Sequence, residues 1–346
     1  MKKSSVSKST YFAAANGYDG FRSNFNRVFP PATLKRLYIL KGGPGTGKST
    51  LMRNISKCIP REIEITEILC SSDTGSLDGI LLNYNGVTVA VADGTDPHAI
   101  EARYPGAVEK IINLGDGFDY KALAREKDGI VELSRKKKEF YKKGYEALRC
   151  AGEIHKYIDA FLFEYDAYKE AENIAEEICK NEESREKREI FKGLLVSAFS
   201  KDGHTYLPIE GGGKTVVRIK GDGFFEYLVT AKIAKKLEEN GCAEKIFTSP
   251  FSDKMIDAVE TQDAIYTVSP DNDWDVDISS LIKDSEEYKT VKESHRIMIN
   301  TAQKAFKEAA SRHFELEDIY TSNMSFEKNK CQEEEIVKEI AELFDK

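Results

Sequence analysis

Six cysteines are scattered along the chain (Cys58, Cys70, Cys150, Cys179, Cys242, Cys331), and no two form a C-x-x-C pair. That spacing excludes the paired-thiol zinc and redox motifs and points to a reducing compartment. Long apolar runs are missing too. The longest, at residues 87–92 and 194–199, are strand-sized and far short of the ~20 residues a membrane helix needs. Met1-Lys2-Lys3 is followed by serines, not by the apolar stretch of a secretory signal, so a cytoplasmic location is expected. Nor is there an excess of positive charge: the net charge is -8. Nucleic-acid binding depends on clustered Lys and Arg, so the sequence gives no strong nucleic-acid signal, and residues 135–138 read as one solvated helix face.

What is present begins with size. At 346 residues with 40% apolar side chains, the chain can bury more than one core, and two domains are expected. The most informative stretch is Leu37-Tyr38-Ile39-Leu40-Lys41-Gly42-Gly43-Pro44-Gly45-Thr46-Gly47-Lys48-Ser49-Thr50. An apolar run precedes the glycines, and Leu51, Met52, Ile55 and Ile59 follow at helical spacing, which reads as strand, loop and helix. Gly42, Gly47, Lys48 and Ser49 fit the G-x-x-x-x-G-K-[ST] pattern of a nucleotide-phosphate loop. Its backbone N–H groups curl around phosphates at the positive end of a helix, Lys48 reaches the β/γ oxygens, and Ser49 ligates Mg²⁺. The binding set is therefore Gly42, Gly43, Pro44, Gly45, Thr46, Gly47, Lys48, Ser49 and Thr50.

Residues 1–10 are polar and expected to fray; turn signals follow at Asn16-Gly17 and Asp19-Gly20. Beyond the loop helix, strands are expected at 63–70, ending in Ser71-Ser72-Asp73, and at 87–92, ending in Asp93-Gly94-Thr95-Asp96. Strands alternating with helices imply a parallel sheet with its ligands at the carboxyl ends of the strands, which places both polar tails beside the loop. From about residue 120, Ile130, Leu133, Phe140, Leu148, Ala151, Ile154, Ile158, Phe161, Tyr165, Tyr168 and Ile178 recur amid Lys and Glu, the pattern of long amphipathic helices.

The second half repeats the first. Ala15 with Asp19-Gly20 matches Ala198 with Asp202-Gly203, and Leu40-Lys41-Gly42 matches Ile219-Lys220-Gly221. Ile55 falls on Ile233, Ile68-Leu69 on Ile246-Phe247, Val91 on Val268, His155 on His313, Tyr168 on Phe326 and Ile178 on Ile336. Where the first copy has Gly47-Lys48-Ser49 the second has Phe225-Glu226-Tyr227, and Asp93 falls on Pro270. The second copy thus lacks the phosphate cation, the metal hydroxyl and the metal carboxylate, and is expected to be degenerate. Gly211-Gly212-Gly213-Lys214-Thr215 only mimics the motif, since its strand comes after it. The expected fold is α/β, a P-loop NTPase with a parallel sheet flanked by helices, internally duplicated, each copy followed by long helices. The segments are a P-loop domain at 1–120, a helical hairpin at 121–185, the degenerate copy at 186–283 and a second tail at 284–346.

Asp93 ends an apolar strand and would hold Mg²⁺ with Ser49; the same residue also suits a turn cap. No Glu follows it, so the arrangement of motor-type ATPases is not evident. Asp96 and Asp73, each at a strand end, are candidates for a general base. His98, His155 and His313 read as loop, core or capping residues. Trp274, in an acidic loop, is either a contact residue or a packing tryptophan. No N-K-x-D guanine motif occurs, which leaves adenine as the default base.

Residues 41–50, Cys70-Ser71-Ser72-Asp73, Ser76-Leu77-Asp78-Gly79, Asp93-Gly94-Thr95, Pro97-His98, Pro105-Gly106-Ala107 and Asn113-Leu114 together resemble an uncharacterised Gram-positive bacterial family of tandem-repeat P-loop ATPases. The resemblance implies nucleotide binding and hydrolysis and supplies no substrate. The family's second repeat often keeps a P-loop, from which this chain departs at Phe225-Glu226-Tyr227. The function expected is Mg-dependent ATP binding with slow hydrolysis by the first copy, the second being structural or regulatory. A small-molecule or nucleotide kinase, and a nucleotide-responsive scaffold binding a protein partner through the helical tails, are the alternatives. Oligomeric state is not legible.

Overall fold

The computed structural model describes residues 8–345 apart from 165, 270–272 and 283–284. Tyr165 of the first amphipathic run, Pro270 opposite Asp93, and Asp271 and Asn272 of the acidic loop therefore lie outside the described residues, as do residues 1–7 of the expected frayed segment.

The first copy comprises β1 (Lys8–Phe12), β2 (Ala14–Gly17), β3 (Gly20–Ser23), α1 (Phe25–Val28), β4 (Arg36–Lys41), α2 (Lys48–Cys58), β5 (Glu64–Leu69), β6 (Leu77–Tyr84), β7 (Val87–Asp93) and β8 (Glu109–Asn113). Helices α3 (Tyr120–Arg125), α4 (Lys127–Glu164) and α5 (Ala167–Ile178) follow. The second copy comprises β9 (Phe191–Lys192), β10 (Ser197–Ser200), β11 (Gly203–Tyr206), β12 (Thr215–Lys220), α6 (Phe225–Glu239), β13 (Lys245–Thr248), β14 (Ile256–Glu260), β15 (Ala264–Val268) and β16 (Val276–Asp277), then α7 (Glu286–Ser322) and α8 (Glu327–Phe344).

The two main sheets are built alike. The first has the order β1-β5-β6-β7-β4-β8 and the second β9-β13-β14-β15-β12-β16. Corresponding neighbours also pair in the same sense: β1 with β5 and β9 with β13 are parallel, β5-β6-β7 and β13-β14-β15 are antiparallel, and the remaining pairs are parallel. Chance similarity at the sequence level would not reproduce six strands in one order and one set of directions.

The expectation of a parallel sheet is corrected: both sheets are mixed. The cause lies in β6, which sequence reading passed over. Asn85 and Gly86 both take positive φ (49° and 79°), the geometry of a tight hairpin turn, so β6 folds back on β7 instead of crossing over through a helix. The frayed start is corrected in part as well. Lys8, Ser9 and Thr10 belong to β1, held at the sheet edge by β5, by Ser9 Oγ 3.0 Å from Thr66 Oγ1 and by Lys8 Nζ 2.8 Å from Glu67 Oε1.

Two compact units result, and they do not follow the sequence segments. Unit 1 is Met1–Ala13, Ser23–Lys142 and Phe306–Lys346; unit 2 is Ala14–Arg22 and Lys143–Ala305. Each long tail helix begins in the unit of its own sheet and ends in the other: α4 passes from unit 1 into unit 2, and α7 from unit 2 into unit 1. Inside unit 1, α8 packs on α2, and Ile336 and Ile340 join Leu51, Met52, Ile55, Leu77 and Val91 in the core. Inside unit 2, α5 packs on α6, and Ala171 and Ala175 join Phe225, Val229 and Ile233. The hairpin β2–β3 also belongs to unit 2, where Asn16 Nδ2 donates to the Phe199 carbonyl at 2.8 Å. The apolar stripe of each tail thus covers the loop helix of the other copy's sheet and not that of its own.

Candidate functional site

The loop at residues 42–47 lies between β4 and α2, whose neighbours explain its position. Leu37, Tyr38, Ile39 and Leu40 are buried in the sheet, and Leu51, Met52 and Ile55 bury one face of α2. The turn between them is short because Gly45 and Gly47 adopt left-handed φ of 68° and 80°, which other residues rarely take. Thr46 is buried and its Oγ1 donates to the Gly43 carbonyl at 2.9 Å, closing the loop on itself. Pro44 is half-buried in it and Thr50 is exposed on the first turn of α2. Lys48 folds back over the loop, its Nζ donating to the carbonyls of Gly42 and Gly43 at 3.2 and 3.0 Å.

Asp93 ends β7, one strand over, in register with Leu40. Its Oδ1 accepts from Thr95 N (2.8 Å) and Thr95 Oγ1 (2.6 Å), while Oδ2 lies 3.6 Å from Lys48 Nζ. Ser49 Oγ accepts the Leu77 N–H at 2.9 Å, which ties α2 to the start of β6 and leaves the hydroxyl a second lone pair. A helix N-terminus, an ammonium and two hard oxygen groups therefore converge on one loop. The arrangement suits an anion together with a hard divalent cation. Among the described residues no cluster of three or more His, Cys, Asp or Glu side chains forms a metal cage, so Mg²⁺ here would need oxygens from its ligand and water.

The other candidate bases differ. Asp73 lies in the loop after β5, within Coulombic reach of His313 and Glu317 near the glycine-rich loop. Asp96 is exposed and faces Lys137. His98 is structural: it is buried, stacked on Phe25 with centroids 4.2 Å apart, and its Nε2 is 3.1 Å from Asp78 Oδ2.

Sequence reading missed the contribution of the C-terminal helices. Asn329 Nδ2 donates to the Thr46 carbonyl at 2.9 Å, Thr321 Oγ1 to the Gly45 carbonyl at 3.4 Å, and the Glu317 carboxylate lies within reach of the Gly45 N–H. Phe326 approaches Gly47, and Tyr320 approaches Gly43. His313, one turn before Glu317 on α7, has Nε2 3.6 Å from Glu317 Oε1; burial and the ammoniums of Lys137 and Lys48 push it down to about 4. The only signal available was the pairing of His155 with His313 in the repeat. Each carries an acid four residues on, Asp159 at 3.7 Å from His155 and Glu317 from His313. His155 lies in unit 2 against Tyr18, Phe224 and His295.

The corresponding loop of the second copy, residues 221–224, is shorter and is filled from within. Asp222 Oδ1 accepts from the N–H groups of Phe224 and Phe225 at 3.1 and 3.0 Å, and its Oδ2 accepts from Tyr288 Oη (2.7 Å) and Lys292 Nζ (3.0 Å). Glu226 Oε2 accepts the Gly223 N–H at 3.1 Å, and burial pushes this carboxyl up to about 7. Phe225 and Tyr227 are buried, with the Tyr227 hydroxyl bonded to that of Tyr206. Lys214, the cation of the G-K-T mimic, is committed to Glu260 (2.6 Å) and the Thr261 carbonyl (2.6 Å) ahead of β12. Trp274 is 38% exposed beneath Lys220 Nζ, 3.7 Å from its ring centroid, which makes it a cation–π partner.

No protein-family model, curated protein or solved structure matches the chain.

Proposed function

We propose that the first copy binds Mg-ATP on the 42–50 loop and hydrolyses it slowly, while the second copy supports the fold and binds no nucleotide. The observation that carries this reading is the convergence of Lys48, Ser49 and Asp93 on a glycine-rich loop at the N-terminus of α2. The loop N–H groups would hold the phosphates, and Lys48 would leave the Gly42 and Gly43 carbonyls for β/γ oxygens. Ser49 and Asp93 would hold Mg²⁺, which neutralises charge developing on the transferred phosphoryl group. Asp73, near the loop, is the better placed of the two candidate bases; exposed Asp96 is the other. The absent guanine motif supports adenine.

A second reading, a nucleotide-responsive scaffold, is favoured by one observation: the C-terminal helices grip the loop at Gly45 and Thr46. The test is release of ADP and phosphate from Mg-ATP without an added acceptor. Turnover abolished by Lys48→Ala supports the hydrolase, tight binding without turnover supports the scaffold, and release only with a small-molecule acceptor supports a kinase. No binding of Mg-ATP at all would sink the proposal.

A further inference from the structure

The residues of α7 that face the loop lie on a single helical face. His313, Glu317 and Thr321 are spaced four apart, and positions so spaced stack one above another. This face lies against Gly45: Thr321 Oγ1 donates to its carbonyl at 3.4 Å, and the Glu317 carboxylate lies within reach of its N–H. The approach is close enough that a Cβ on Gly45 would overlap Thr321 Oγ1 and lie 2.9 Å from the Glu317 carbonyl oxygen. Glu317 is also within Coulombic reach of Lys48, the cation expected to serve the β/γ end of a polyphosphate.

A carboxylate beside a loop N–H is an anion close to where a phosphate oxygen would sit. We propose that Glu317 competes with the terminal phosphate of a bound nucleotide for the Gly45 end of the loop, and thereby sets how strongly the site holds a nucleoside triphosphate relative to the diphosphate. The inference rests on the reading of this loop as a nucleotide site. A γ-phosphate brings its charge to the end of the loop where Lys48 and Glu317 lie within Coulombic reach of each other, whereas a diphosphate ends one phosphate earlier. Displacing Glu317 needs only a turn of its side chain, since α7 itself is held by Thr321 and, through the following helix, by Asn329 on Thr46. The second copy carries a parallel: Glu226 occupies the Gly223 N–H of its own loop, supplied there by the chain's own helix.

The experiment is calorimetric titration of full-length wild type, Glu317→Gln and Glu317→Ala with Mg-ATP and with Mg-ADP. The glutamine keeps the shape and an acceptor oxygen but removes the charge; the alanine removes both. Both variants should bind Mg-ATP about tenfold more tightly than wild type, a size typical of coupled sites, with a clearly smaller gain for Mg-ADP. A role in packing alone would not move that ratio. Binding by wild type with equal or weaker Mg-ATP affinity in both variants overturns the inference and leaves the nucleotide site standing. So does unchanged affinity with lost turnover, which would make Glu317 a base, or an equal gain for both nucleotides. No binding of either nucleotide by any of the three proteins overturns the nucleotide site and this inference together. Binding by the variants but not by wild type supports this inference while overturning ATP hydrolysis by the wild type, and Lys48→Ala in the Glu317→Ala background should then abolish it.

Discussion

Lys48 Nζ lies 3.6 Å from Asp93 Oδ2, joining the first turn of α2 to the carboxyl end of β7, and the two side chains are only 13% and 14% exposed. The carboxylate is fixed from the other side by Thr95, and the ammonium by two loop carbonyls. Cation and carboxylate are thus held side by side, one on the first turn of α2 and the other at the end of β7, and an incoming polyphosphate would have only to draw the ammonium a short way from the loop carbonyls.

Mg-ATP is expected to raise the melting temperature of the chain, because a ligand at a hundred times its dissociation constant adds about 2.7 kcal/mol to the state that binds it. Lys48→Ala should abolish the shift. It should lower the unliganded melting point only slightly, since Lys48 packs over the loop and not in the core. Differential scanning calorimetry at millimolar Mg-ATP checks both; an unshifted wild type would remove the basis of the proposed function.

Asp93→Asn should bind nucleotide while losing most of its dependence on Mg²⁺ and most turnover. The amide oxygen can still accept from Thr95, so the loop should keep its geometry and the loss should be one of charge. Titration with and without Mg²⁺, paired with an ADP-release assay, reads this out. Undiminished turnover would show that Asp93 is a turn cap and nothing more.

One nucleotide per chain is the expected stoichiometry, and none in Lys48→Ala. The second loop is occupied by Asp222 and Glu226, and buried Phe225 and Tyr227 stand where an anion and its metal would need room. Glu226→Lys should not create a second site. Two nucleotides per wild-type chain, measured by calorimetry, would contradict the self-filled loop.

Stability should fall as pH rises from about 4.5 to 7 on account of Glu226, whose carboxyl burial pushes up to about 7. Buried Asp257, also pushed up to about 7, acts in the same direction from about 3.8. Both groups hold protons in the folded state that the unfolded chain has released within that window, so ionising them opposes folding. The advantage of wild type over the double variant Glu226→Gln, Asp257→Asn should therefore shrink with rising pH. Denaturant titrations at a series of pH values test this, and a gap that widens with pH would refute the assignment.

A fragment ending near residue 186 should be poorly soluble, because it lacks α8, and Ile336 and Ile340 close the core over α2. Appending residues 306–346 through a flexible linker should restore nucleotide binding and part of the solubility, since α5 would still lack α6. In the full chain, Ile336→Ala and Ile340→Ala should each cost about 2–5 kcal/mol, as buried large-to-small changes do. A soluble fragment that binds nucleotide without α8 would show the tail to be dispensable.

The strand, glycine loop and helix at 37–58 were legible because local rules decide them: an apolar run, residues tolerant of left-handed φ, then apolar positions at helical spacing. The same holds for β7 ending in Asp93 and for the duplication, whose matched residues fall in matched elements, Ile55 in α2 and Ile233 in α6, Val91 in β7 and Val268 in β15. Strand β6 was missed although Asn85-Gly86 announced its turn, and with it went the mixed character of the sheet.

By itself, then, the amino-acid sequence determined the two α/β copies, the glycine-rich loop of the first and the loss of its counterpart in the second, since each depends on residues adjacent in the chain. Only the tertiary structure decided which apolar face covers which. An amphipathic helix such as α8 records that it must be buried, but not against what, because Ile336 and Ile340 would gain as much from any apolar surface of the right shape. That choice brought Glu317, Thr321 and Asn329 onto a loop more than 270 residues earlier in the chain, where hydrogen bonds across such a separation leave no periodicity to read.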